Sequence, residues 1–469
     1  MRTLTLLMLP LLIIGCAVCG REEDFVRMPP TGESWDATYL IDLDPDAVST
    51  ADVTSQVAAA ETHYWTYSAV EGCAWQPMRS KTELANPDSY GSGGDTLIFT
   101  GFATAGFAWK LAATDDAGDL AAVQRSLRGL YLLTHVGGDG VLARCAWPAE
   151  DAARFGRATS GDFIGVRSAD DMNPIGGPFP TMYYYTRGTK DQLTGLIFGL
   201  SVVWATVTDH DAREFVARIT EDVYDQLIKY HWRIRDSKGE NDTSADDVDD
   251  LLRIAVLALY RQTVVTTTPG RKDQVEADYL AEFEKFKGVL GILEASDRYN
   301  NYDQYYAFNL RAARALSIWL LDEDPDRRSD MVDYYEKHVW NFTDCHQNAW
   351  LAWVRAAMSP GDEAAIAAAN WAFRAQVIKP FRLYASPYHG QEESPGLIAT
   401  TIDCTCDFVV APHLREPSQY FAWQEAPWAV GDKGPPDLEG QRSSTGIELF
   451  LPYWMARHFS LVRWPGMLR

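Results

Sequence analysis

Apolar positions in this chain fall into two kinds of helical stretch, and the two kinds alternate along most of its length. One kind is apolar on nearly every side behind a polar start. Arg187–Asp209, RGTKDQLTGLIFGLSVVWATVTD, shows it best. Thr189 is placed to cap the helix, and Gln192 three residues later completes a capping-box spacing. Asp191 falls in the first turn, where the helix dipole favours a carboxylate. Gly195 and Gly199 then share one face. An interior glycine costs about 1 kcal/mol against alanine, so a neighbouring backbone is expected to come close there.

Five more stretches share that design. They start near Asp95, Asp246, Asp303, His346 and Thr445, each with polar residues ahead of an apolar run. Between them lie amphipathic segments over Val53–Val70, Leu120–His135, Ala212–Arg235, Gln274–Leu290, Arg327–Val339 and Glu363–Val377. The spacing therefore predicts twelve helices in six pairs. Loops after the buried kind are short, such as Asp209–Asp211. Three loops before it are long, over Glu71–Gly94, Val136–Lys190 and Ile378–Ser444. A closed double ring of helices explains this asymmetry, with the long loops gathered at the N-terminal ends of the inner set. Loops of such length are usually functional or disordered, and their aromatic content speaks against disorder.

The first residues, MRTLTLLMLPLLIIGC, read as a signal segment whose apolar core is too short to span a bilayer. Ile13-Ile14-Gly15-Cys16 resembles a bacterial lipobox, which would make residues 1–15 a lipoprotein signal peptide and Cys16 the lipidated residue. Residues 16–50 would then be a tether and residues 51–469 one domain. That places the protein in the bacterial cell envelope, anchored by lipid to a membrane, the outer membrane or cell surface foremost. A net charge of −23 argues against nucleic acid as a partner.

No metal and no cofactor is expected. Asp42, Asp44 and Asp46 imitate the start of a calcium loop, but Ala47 stands where its glycine belongs. Cys404 and Cys406 have no second pair to complete a zinc site. Gly91-Ser92-Gly93-Gly94 lacks the lysine of a phosphate-binding loop and reads as a flexible lead into a capped helix.

Candidate chemistry collects at the helix tips and in the long loops. Asp95, Asp191 and Glu392 are the best-placed carboxylates. Arg144 follows a glycine turn and could clamp a sugar or carboxylate, or pair with a structural aspartate. Arg187, Gln192, Asp303, His346, Tyr388 and His389 are further candidates for holding a substrate. Tyr183-Tyr184-Tyr185 could form a sugar-binding wall or simply pin the loop down. For most of the crowded acids Asp246, Asp247, Asp249 and Asp250, dipole complementarity is the better account.

The alternating helices resemble the (α/α)6 toroid of six-hairpin glycosidases and the related lyases and epimerases. GDTLIFTGFATAGFAWKL, GLYLLTHVGGDGVLAR, KDQLTGLIFGL and STGIELFLPYWMARH are similar to stretches of uncharacterised secreted bacterial proteins thought to share it. The resemblance implies an all-α fold of six inner and six outer helices. It also implies a carbohydrate cleft at the N-terminal ends of the inner set, the end that the loop lengths select independently.

Two functions follow as expectations. One is a carbohydrate-active enzyme, most simply a glycoside hydrolase whose paired carboxylates stand about 5–10 Å apart. A polysaccharide lyase is its variant, with Tyr388 or His389 as base and Arg144 neutralising a uronate. The other is a surface lipoprotein that binds a poly- or oligosaccharide, or a protein, without turnover. Dispersal of the acids into salt bridges would favour that second function.

Overall fold

The structure is a computed structural model that describes residues 48–75, 77–78, 89–91, 93–155, 165–167, 178–236, 238–240, 247–300, 306–377 and 445–464. Cys16 with its signal and tether, Asp246, Asp303, Tyr388, His389, Glu392, Cys404 and Cys406 lie outside these residues.

The chain is mostly helical. Among the described residues, six helices of the buried kind are α2 (Thr96–Thr114), α4 (Lys190–Thr206), α6 (Asp250–Thr267), α8 (Tyr306–Leu321), α11 (Ala349–Met358) and α13 (Ile447–His458). They alternate with α1 (Thr50–His63), α3 (Ala117–His135), α5 (His210–Lys229), α7 (Lys272–Asn300), α9 (Pro325–Tyr335) and α12 (Glu363–Val377). A three-residue helix, α10 (Asn341–Thr343), precedes α11. The two kinds differ as their sequences do. Every residue of α2 from Thr96 to Trp109 is buried. In α5 burial follows one stripe that includes Ala212, Phe215, Val216, Ile219, Val223 and Leu227, as an amphipathic helix on a core requires. α2 is long and apolar enough to cross a membrane, but it lies inside the protein.

Short polar side chains fix where the helices begin. Asp116, Asp209, Asp249, Asp324 and Asn348 each accept from a first-turn amide. Ser49 forms a capping box with Asp52 ahead of α1. Each such bond satisfies an amide that has no partner within its own helix.

The buried helices are neighbours of one another. α2 packs on α4, α4 on α6 and α8, α6 on α8, α8 on α11, α11 on α13, and α13 on α2. The amphipathic set lies against them, with α3 on α2, α5 on α4 and α6, α7 on α6, α9 on α8, α12 on α11, and α1 on α13. Where α2 meets α4, a Cβ on Gly101 would stand 1.8 Å from the Gly195 carbonyl oxygen. A Cβ on Gly195 would stand 2.5 Å from the Ile98 Cα.

Gly101→Ala should therefore lower the unfolding midpoint in urea. The helix gains about 1 kcal/mol in propensity, but overpacking at a backbone contact costs roughly 1–3 kcal/mol or more. A variant at least as stable as the wild type would show that the two helices do not cross this closely.

Strands lie in the first two long loops and, for β1, just ahead of the first. β1 (Ala69–Val70) pairs with β2 (Cys73–Ala74), and β3 (Pro77–Met78) with β4 (Ser89–Tyr90), both antiparallel. β5 (Ala143–Pro148), β6 (Gly165–Arg167) and β7 (Met182–Arg187) form an antiparallel sheet in the order β5-β7-β6.

Several boundaries correct the sequence reading. α6 starts at Asp250 with Asp249 as its cap, rather than near Asp246, because the Asp249 side chain takes the Leu252 amide. α11 starts at Ala349 behind Asn348, three residues after His346. α5 ends at Lys229, well before Arg235, because His231 and Trp232 both take left-handed φ. α1 and α9 pass into single π turns, Tyr64–Ser68 and Glu336–Trp340, instead of continuing as α-helix.

Candidate active site at the tips of the buried helices

The site begins with a turn. Gly93 has a φ of 60°, a conformation that favours glycine. A Cβ there would also lie 2.4 Å from the Trp75 ring. The turn thus presses against Trp75, and Thr96 N–H closes it onto the Gly93 carbonyl at 3.4 Å. The lead into α2 is a fixed corner. It leaves the Gly94 carbonyl and the Asp95 side chain to partners outside α2.

Asp95 is the cap residue of α2, yet its carboxylate caps nothing. It accepts instead from Arg144 Nη2 at 3.3 Å and from Gln192 Nε2 at 3.0 Å. The Gly94 carbonyl beside it accepts from Arg144 Nε at 2.6 Å and Gln192 Nε2 at 3.2 Å. Gln192 is buried, and its other end completes the capping box of α4, with Thr189 N–H donating to Oε1 at 2.9 Å. One amide side chain therefore ties the ends of α2 and α4 together.

Arg144 is held by β5, and Arg187 ends β7 directly opposite Ala143. The register sets the Arg187 backbone beside that of Arg144 at the end of the sheet. The same sheet answers for the tyrosines. Tyr185 is buried, while Tyr183 and Tyr184 pack on the core beside it. Tyr183 lies 6.2 Å from the Trp147 ring. They pin the sheet down.

Asp191 is half-buried in the first turn of α4. Burial pushes its carboxyl above the usual aspartate range, and Asp95 adds to the rise. Arg314, Lys190 and Arg144 pull the other way. Tyr306, the first residue of α8, feels both acids. Burial first, then Asp191 and Asp95, raise its hydroxyl above the ordinary tyrosine value.

Asp249 completes the group from the end of α6. Its carboxylate accepts from Arg314 Nη1 at 2.8 Å and from the Leu252 amide at 3.0 Å. Burial would raise its pKa, but Arg314 and the cap outweigh it and hold it below the usual range. The tips of α2, α4, α6 and α8 thus supply Asp95, Asp191, Asp249 and Tyr306, with Arg144, Lys190 and Arg314 among them. Two acids of unlike environment stand close enough to feel each other. One is gripped by two donors, and burial shifts the pKa of the other upward. A proton donor beside a fixed carboxylate can perform general acid–base or nucleophilic chemistry.

His346 is buried in the 3-10 turn ahead of α11, and the hydrogen bonds just described do not extend to it. Tyr306, Asp249, Lys190 and Arg314 were not singled out from sequence as site residues. Asp249 was hidden among acids credited to the helix dipole. Arg314 carried one usable signal, a cation among alanines in an apolar run. Glu448 was also missed. It is buried in the first turn of α13, where desolvation pushes its carboxyl up to about 8 against the pull of its own and Gly446 backbone bonds. A carboxyl raised that far marks a second place where a proton can be held.

Neither a family model nor a curated protein matches this chain.

Proposed function

We propose that the protein is a carbohydrate-active enzyme of the cell envelope, most simply a glycoside hydrolase with Asp191 as acid and Asp95 as the opposing carboxylate. The observation that carries this reading is the pairing of two acids in opposite environments at adjoining helix tips. Asp191, its pKa raised by burial, would give its proton to the glycosidic oxygen. Asp95, gripped by Arg144 and Gln192, would either activate water or attack the anomeric carbon. Tyr306 and Lys190 would line the sugar. The order in which buried helices neighbour one another, from α2 around to α13 and back to α2, supports a single (α/α)6 toroid with this site at its inner tips.

A specific observation favours the second reading, a surface lipoprotein that binds a glycan without turnover. Asp95 and Asp249 both stand in ion pairs, with Arg144 and Arg314. A panel of poly- and oligosaccharides, assayed for new reducing ends and for unsaturated products, separates the possibilities. New reducing ends alone support the hydrolase, and absorbing unsaturated ends support the lyase. Binding without either product would leave the binder.

The anchor is tested separately. Native protein should have the intact mass of a chain that starts at Cys16 and carries a diacylglycerol. An unmodified chain starting beyond Cys19 would remove the lipid anchor from the account.

A further inference from the structure

We infer that Arg314 is a positioning residue of this site, a single cation that joins the tips of α4 and α6 from α8 and fixes the surroundings of Asp191. The inference rests on reading Asp191 as the site's acid. Arg314 lies in the third turn of α8 and is buried, with Ala312, Ala313 and Ala315 around it in the sequence. Side chains on a helix lean toward its N-terminus, so this long one runs back to the tips. Its Nε donates to Thr194 Oγ1 at 2.7 Å, and its Nη1 to Asp249 Oδ2 at 2.8 Å.

Thr194 passes the contact on. Its hydroxyl donates to the Lys190 carbonyl at 2.8 Å, in the residue just before Asp191. Thr194 also stands three residues after Asp191, on the neighbouring turn of the same helix face. The guanidinium is therefore bonded to the turn that carries Asp191, and at its other end to the cap of α6. An apolar side chain could fill this space without the cost of burying a charge, and replacing buried pairs in that way is often neutral or stabilising. A role in the site accounts for the cation where stability alone does not.

Among the described residues, the charged and titratable groups that act on or feel Asp191 are Lys190 on its own helix, Asp95 at the end of α2, Arg144 on β5, and Tyr306 and Arg314 on α8. Asp249 on α6 shares both Arg314 and Lys190. Arg314 is the strongest of the cations acting on Asp191. Its removal should let burial and Asp95 dominate.

The test needs no substrate. Carboxyl carbons of the full-length protein are titrated by 13C NMR, with the Asp191 resonance assigned by its absence in Asp191→Asn. In Arg314→Met the Asp191 midpoint should move up by about one pH unit, the size that loss of a neighbouring opposite charge gives. Arg314→Lys, which keeps the charge, should restore most of that difference. Asp249→Asn leaves Arg314 without its counter-charge and should move the midpoint down. That second variant decides the matter if Arg314→Met does not fold. A midpoint unmoved in folded Arg314→Met, or unmoved in Asp249→Asn, overturns the inference. Because no sugar is present, the titration can succeed where the glycan panel fails, and the two failures are told apart.

Discussion

Asp191→Asn should lose roughly 10²–10⁴ in turnover on the glycan that the wild type cleaves, the contribution of a positioned acid or base. Its stability should hardly change. The first-turn carboxylate gains about 0.3–1 kcal/mol from the helix dipole, while burial opposes its charge. The sign of the pH effect follows from that burial. A carboxyl raised in the folded state stabilises the fold below its unfolded pKa, and that stability is lost as pH rises through the folded pKa. Asparagine cannot ionise, so the variant escapes this loss at neutral pH. Activity should thus collapse in a protein that melts about where the wild type does. Turnover within about threefold of wild type, far outside the range for a proton-transfer group, would remove Asp191 from the chemistry.

Asp322→Ala should do the reverse and cost the fold about 3–5 kcal/mol, the usual loss when one partner of a buried ion pair is removed. Asp322 follows the C-terminal end of α8, and its side chain is fully shielded from solvent. Arg327 grips it through Nε at 2.7 Å and Nη2 at 2.9 Å. Arg261 Nη2 lies 3.3 Å away, and the Tyr279 hydroxyl and the Asp324 amide also donate to it. Alanine would take from Tyr279 its carboxylate acceptor and leave Arg261 with Glu276 and the Leu321 carbonyl.

Burial alone would raise the Asp322 carboxyl, but the Arg327 bonds, Tyr279, the Asp324 amide and Arg261 outweigh it and hold it below its ordinary value. A lowered folded pKa gives stability that is present above the unfolded value, about 3.9, and lost as pH falls through the folded one. Urea unfolding should therefore show the full difference between wild type and variant at pH 7. The difference should shrink in strong acid. A gap below about 1 kcal/mol at pH 7, typical of an exposed pair, would mean that this cluster does not hold α6, α7 and α8 together.

How far the sequence could be read depended on the range of each signal. The alternation of helix kinds was legible because burial of a whole helix and burial of one stripe leave different apolar periods. Thr189, Gln192 and Gly195 were legible for a similar reason, since caps and close crossings act within a few residues. The clasp from Gln192 to Asp95 was not, because it joins residues 97 apart. β5 and β7 were missed inside a loop. Each strand has six residues and little alternation, and their pairing is set by the tertiary fold. The flexible lead read at Gly93 became a rigid corner only once Trp75 was seen behind it. Arg144 stood open between clamp and structural partner, and in the structure it pairs with Asp95 at the edge of the site.

The measurement that bears most directly on this centre is a crystal structure of Asp191→Asn with a glycan that the wild type cleaves. The expected result is a glycosidic oxygen within about 3 Å of the residue 191 side chain, the reach of a general acid, with the anomeric carbon facing Asp95. A glycan bound elsewhere, or bound here with its scissile oxygen out of reach of both side chains, would contradict the assignment of this pair as the catalytic centre.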